Sequence, residues 1–193
     1  MLKIKALLTL CTSILLLISL NSFAADVVKI KIVTNQGDIL LELYPDKAPK
    51  TVENFVKYAD SHFYRKTIFH RVIKGFMIQG GGFTNASDRK RPAFEPIQNE
   101  ADTGLKNDRG TIAMARTSNP HSATAQFFIN LKDNDFLNHT RKSMNGWGYC
   151  AFGKVTSGMD VVDKIAQVKT QEVAMQQNIP IDPIYIEDVI VLK

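Results

Sequence analysis

Phe69-His-Arg-Val-Ile-Lys-Gly-Phe-Met-Ile-Gln-Gly-Gly-Gly-Phe-Thr84 is the densest stretch of the chain, with two short β-like runs (Ile68 to Val72 and Phe76 to Gln79) leading into three glycines. On strand spacing, Arg71, Phe76 and Met77 come close together, and Gln79 lies two residues beyond Met77. A cation and an amide beside aromatic and thioether surface describe a groove for something apolar that offers one carbonyl to grip. A core strand with an exposed arginine is the plainer alternative, and composition alone favours it. Gly80-Gly-Gly82 lacks the strand–GxGxxG–helix context that aims backbone N–H groups at a phosphate, so it predicts a tight turn or a close backbone approach.

On the N-terminal side, Val28, Ile30 and Ile32 alternate with Lys29 and Lys31, the period-2 pattern of a half-buried strand. The turn signal Asn35-Gln-Gly37 follows, and Asp38 to Tyr44 reads as the partner strand of a hairpin. After Pro49 the rhythm changes. Val52, Phe55, Val56 and Ala59 fall on one helical face, and proline is tolerated in a first helical turn. A second helix is predicted near Met159 to Val168, with Val162, Ile165 and Ala166 inward and Ser157 or Gly158 at its start. Further short β-like runs cover Thr111 to Ala115, Phe127 to Leu131, Cys150 to Lys154 and Tyr185 to Leu192. Turn-rich stretches separate them at Asn85 to Pro92, Asn99 to Gly110 and Thr117 to Ala125. Many short strands with two helices predict a mainly β domain, a closed or nearly closed antiparallel barrel capped by helices.

The chain has 193 residues, 45% apolar and 22% charged, which suits one globular domain and excludes disorder or a fibrous repeat. The start is read as an address. Basic Met1 to Lys5, the apolar run Ala6 to Leu20 and the small residues Ser22 and Ala24 are the three parts of a secretory signal peptide. Cleavage after Ala24 leaves a domain over residues 25–193 and no stable membrane anchor. An uncleaved anchor would want a longer uninterrupted run than one broken by Thr9, Thr12, Ser13 and Ser19. Losing Lys3 and Lys5 takes the formal charge from +5 to +3, and losing Cys11 leaves Cys150 alone, so no internal disulfide can form. Export without disulfides is compatible with a bacterial periplasm, and the same address is compatible with a surface or secreted fraction.

A second informative segment runs from Gly110 to Ile129, in which Gln126 and Phe128 share one strand face and Phe127 points into the core. The common catalytic sets are missing. His62, His70, His121 and His139 show no metal-ligand spacing, so no metal site is expected. There is no GxSxG elbow, and Cys150 in its apolar run reads as an inert buried thiol. Asp88-Arg-Lys-Arg-Pro92 reads as a solvated basic loop, and the small net charge gives no expectation of nucleic-acid binding. Nothing suggests a coiled coil or a long apolar edge, so a monomer is expected.

Together, Phe69 to Thr84 and Ala125-Gln-Phe-Phe-Ile-Asn130 resemble the signature of the cyclophilin-type peptidyl-prolyl isomerases. The likeness runs from Ile30 through Ala48-Pro-Lys-Thr-Val-Glu-Asn-Phe55 to the C-terminus. The loop Thr117 to Ala125, the segment Phe136 to Phe152 and the secretory start resemble the bacterial periplasmic branch. The resemblance implies an eight-stranded antiparallel barrel closed by two helices, with an active groove on its outer wall. It implies an isomerase of Xaa-Pro bonds in proline-containing unfolded or partly folded polypeptides, without a cofactor, during folding of exported proteins. Arg71 takes the main catalytic position, with Phe76 and Gln79. Phe76, Met77, Phe128 and Leu137 match the proline pocket, while Ala115, Thr117 and Gln126 match positions lining the peptide groove. The loop after Met114 is one residue longer than the family pattern. Two departures stand out: Phe136 occupies the position where many members carry tryptophan, and Tyr149 occupies the groove-histidine position. Phe136 keeps an apolar wall without the indole N–H donor, which implies weak or no cyclosporin binding. Trp147 falls outside the family's tryptophan position and reads as loop packing. The competing hypothesis is a non-catalytic peptide-binding chaperone or surface-interaction module of the same fold.

Overall fold

The computed structural model describes residues 26–103, 105–173 and 176–192. The expected signal segment, residues 1–24, lies outside them. The hairpin comes first, as β1 (Val28–Thr34) and β2 (Gly37–Leu43), paired from Val28 opposite Leu43 to Thr34 opposite Gly37. Ile30, Ile32, Ile39, Leu41 and Leu43 are all buried, which is the alternation carried through both strands. Helix α1 (Pro49–Asp60) follows, with Pro49 in its first turn. Its preceding residue, Ala48, offers no side-chain cap. The Glu100 carboxylate takes that role from a distant loop, accepting from the Lys50 N–H at 3.2 Å and the Thr51 N–H at 2.8 Å. An anion at a helix N-terminus satisfies orphan donors and complements the helix dipole.

The remaining barrel strands are β3 (Thr67–Ile73), β4 (Met77–Gly80), β5 (Thr111–Met114), β6 (Phe127–Asn130) and β7 (Ala151–Ser157). Helix α2 (Met159–Ile165), a polar hairpin of β8 (Thr170–Val173) and β9 (Gln176–Pro180), and β10 (Tyr185–Leu192) complete the chain. Eight strands close antiparallel in the order β1-β10-β3-β4-β6-β5-β7-β2, and β8 and β9 pair only with each other. The first strand therefore lies beside the last. Gly158 opens α2 with φ of 88°, and a Cβ there would run into the Asp38 carbonyl, so β7 can turn into the helix only through glycine. Val162, Ile165 and Ala166 are the buried face of that helix and its end.

The interior is aromatic where α1 meets the barrel. The Phe55 ring lies 5.1 Å from Tyr64, 5.5 Å from Phe127 and 5.3 Å from Phe152, within the range of favourable ring pairs. A second, smaller apolar cluster sits apart from this core and gathers Met77, Ala113, Phe128, Leu137 and Ala151. Pleating explains the division, since Ile78, Phe127 and Ile129 point inward and Met77 and Phe128 point to the outer wall. Among the described residues, no helix is long and apolar enough to cross a membrane.

Candidate active site

The outer cluster is the floor of a groove, and a β-bulge aims its cation. Phe69 pairs with Gly80 and Arg71 with Gln79, so His70 is an extra residue on β3. Phe69 and Val72 both face the core, yet Arg71 between them is exposed on the outer wall. Strict alternation from Phe69 would have sent Arg71 inward. The extra residue reverses the parity, as bulges do. Across the ladder, Gln79 lies opposite Arg71 on one side and Phe128 on the other. Arg71 Nη1 reaches Gln79 Oε1 at 3.5 Å, and Gln79 Nε2 donates to Gln126 Oε1 at 3.0 Å. Gly82 makes room for this relay. A Cβ there would collide with the Gln126 side chain, so the glycine is required by close approach.

Two pockets meet over this polar row. The smaller, of about 190 Å³, is lined by Phe76, Met77, Phe128 and Leu137, with Tyr149 beside them and Arg71 and Gln79 at its edge. The larger, of about 540 Å³, also takes in Arg71 and Gln79, and extends over Thr117, Gln126 and the β9 strand. Ala115 and Arg116 border both.

Behind the smaller pocket lies a buried chain of asparagines. Asn134 Nδ2 donates to the Phe76 carbonyl at 3.0 Å and to Asn130 Oδ1 at 2.8 Å. Asn130 Nδ2 continues to Asn107 Oδ1 at 3.3 Å, and Asn107 Nδ2 donates to the carbonyls of Tyr149 at 3.0 Å and Leu137 at 3.3 Å. Asn107, Asn130 and Asn134 are fully buried. Hydrogen bonds at this depth fix the three backbone segments that carry Phe76, Leu137 and Tyr149.

Most residues expected from sequence converge here. Arg71, Phe76, Met77, Gln79, Ala115, Phe128, Leu137 and Tyr149 border the smaller pocket, and Thr117 and Gln126 the larger. Phe136 differs from the expected apolar wall. It is 71% exposed, lies outside both linings and stacks on the outer side of Phe76 at 5.6 Å. Arg116 was missed from sequence. Its guanidinium lies 4.4 Å from the centre of the Tyr149 ring, and its Nε donates to the Gly148 carbonyl at 2.9 Å. His70, Phe83, Arg89 and the β9 amides were missed too. Trp147 packs in the loop, its Nε1 donating to the Asn99 carbonyl at 3.1 Å. Burial, the main cause, pushes the Cys150 thiol up to about 12, a value at which it is no nucleophile. Among the described residues there is no group of three or more His, Cys, Asp or Glu side chains that could hold a metal.

The profile of the family described as cyclophilin type peptidyl-prolyl cis-trans isomerase/CLD matches residues 29–191. The chain is 59% identical over 158 residues to peptidyl-prolyl cis-trans isomerase B of Escherichia coli (strain K12), covering 82% of this chain and 96% of that one. It is 56% identical over 172 residues to a peptidyl-prolyl cis-trans isomerase of Acinetobacter baylyi, covering 89% and 88%. A crystal structure of a Cryptosporidium parvum cyclophilin type isomerase superposes with a TM-score of 0.74 at 29% identity, covering 87% of this chain and 99% of that one. The same protein in the presence of the dipeptide Ala-Pro gives 0.72 at 30% identity, covering 86% and 99%. Barrel, outer groove and relatives agree, and the chain belongs to the cyclophilin-type peptidyl-prolyl cis-trans isomerases.

Proposed function

We propose that this isomerase acts on exported polypeptides as they fold, and that Arg71 stabilises the twisted Xaa-Pro amide. The observation that carries the reading is the placement of the Arg71 guanidinium at the edge of a ring-sized apolar pocket, in contact with Gln79. Rotation about the amide crosses a barrier of about 18–20 kcal/mol because resonance is lost on twisting. At the top of that barrier the proline nitrogen is pyramidal and regains a lone pair. No nucleophile is required, only a site that fits the twisted amide better than either planar form.

Each part of the site has a task in that scheme. Phe76, Met77, Phe128 and Leu137 hold the proline ring still. Gln79, held in turn by Gln126, orients Arg71 and offers an amide to the preceding carbonyl as it swings. Arg71 donates to the nitrogen lone pair. A hydrogen bond from a charged group contributes about 1.5–3 kcal/mol, and the rest comes from immobilising one side of the bond while the other turns. The related structure solved with Ala-Pro present supports a proline ring as the fitting occupant.

The tripartite residues 1–24 support export and a periplasmic site of action. Purified residues 25–193 assayed on a proline peptide test the mechanism. Arg71→Ala lowers kcat/KM by about tenfold to a hundredfold. Wild-type turnover in that variant would discard the role of Arg71. Fractionation of cells carrying the full chain, with mass measurement of the mature N-terminus, tests cleavage after Ala24.

A further inference from the structure

The larger pocket is one-sided in charge. Three guanidiniums border it, from Arg71, Arg89 and Arg116, and no carboxylate does. None of the three is in an ion pair among the described residues. Arg89 is held by its backbone. It forms a β-bridge with Phe83, and the next residue, Lys90, donates its N–H to the Gly82 carbonyl at 3.0 Å. The neighbouring Asp88 carboxylate is engaged by the Thr84 hydroxyl. The far wall is β9, which adds the amide side chains of Gln177 and Asn178, the latter with φ of 62°. Cations and amide donors, with no carboxylate among the lining residues, make a concave surface that favours negative charge.

We propose that this pocket selects a carboxylate side chain, aspartate or glutamate, two residues before the proline of the substrate. The inference rests on the isomerase reading of the smaller pocket. With the proline ring seated there, the preceding carbonyl lies over Gln79 and Arg71, which also border the larger pocket. The chain N-terminal to that carbonyl therefore enters the larger pocket. In an extended chain, side chains two residues apart point the same way and are separated by about 6.6 Å. The side chain two before proline is the one that drops in. An acidic group meets Arg89 and the β9 amides, and a lysine meets like charge.

Three peptides test this, acetyl-Glu-Ala-Pro-Phe-amide and its Gln and Lys counterparts. Dissociation constants are read by NMR titration, and isomerisation by exchange spectroscopy on the same samples. The glutamate peptide binds about fivefold tighter than the glutamine peptide and the lysine peptide binds weakest, an advantage that fades at high salt. Its titration shifts the Arg89 and Asn178 resonances. Arg89→Gln removes the advantage and Arg89→Lys retains most of it. Equal affinities for all three peptides would overturn the subsite, even with every bond isomerised quickly. Unequal affinities without acceleration would uphold the subsite and overturn the catalytic reading instead.

Discussion

Replacing Gly82 by alanine perturbs the glutamine relay without substituting any of its members. The backbone at Gly82 is outside the left-handed region, so alanine brings no backbone strain and only space is at issue. The new methyl would overlap Cγ, Cδ and Nε2 of Gln126, which obliges that side chain to leave its rotamer. An off-rotamer torsion costs about 0.5–1.5 kcal/mol, and loss of the 3.0 Å bond from Gln79 costs about 1 kcal/mol more. Gln79 then keeps only its 3.5 Å contact with Arg71. A loss of about 2 kcal/mol in stability is expected by urea denaturation, with kcat/KM on a proline peptide falling about fivefold. The double variant with Gln126→Ala provides the control, because it removes the overlapping atoms. In that background Gly82→Ala should change neither quantity. An equal penalty with and without Gln126, or full activity in the single variant, would refute the relay.

Asn107→Leu removes the donor to the Tyr149 carbonyl and one donor to Leu137, at about 2–3 kcal/mol of stability, with a rise in KM as the pocket wall loosens; unchanged denaturation and KM would show the asparagine chain to be dispensable. Burial, with Arg71 and Arg89 nearby adding to it, lowers the His70 pKa from 6.5 to about 4. The unfolded chain therefore binds the extra proton between those values, and stability falls by on the order of 3 kcal/mol as pH drops from 6.5 toward 4. His70→Gln should flatten that part of the stability–pH curve relative to wild type, and an identical slope would mean that His70 is not its source. Wild type should respond weakly to cyclosporin, and Phe136→Trp, which introduces an indole donor beside Phe76, should tighten binding in a fluorescence titration. No gain would move the cause away from Phe136.

The legible parts of the fold were those in which local period reports burial. Lys29 and Lys31 between Val28, Ile30 and Ile32 gave β1, and Val52, Phe55 and Ala59 gave α1. Closure was not local. It depends on β1 meeting β10 across the whole chain, with Ile30 opposite Val191. The β8–β9 hairpin left no trace because Thr170 to Glu172 are polar and exposed, without apolar alternation. The site was legible where a motif named it, in Arg71, Gln79, Gln126 and Phe128. Orientation was less so. Arg71 points outward because His70 is bulged, and a bulge changes parity without changing residue types. Of the buried asparagines, Asn107 stood in a turn-rich stretch and Asn130 in a β-like run, and only their pairing with Asn134 shows that they brace the pocket.

Barrel closure has a consequence for the proposed action on incompletely folded chains. Such clients carry unpaired strand backbones and add readily to any open sheet border. Here each barrel strand already has a neighbour on both sides. A client therefore finds few main-chain partners along the wall and is gripped by a ring and a few side chains in a shallow groove. Contacts of that kind let go quickly. On that proposal, the barrel wall offers such chains no open border on which to aggregate.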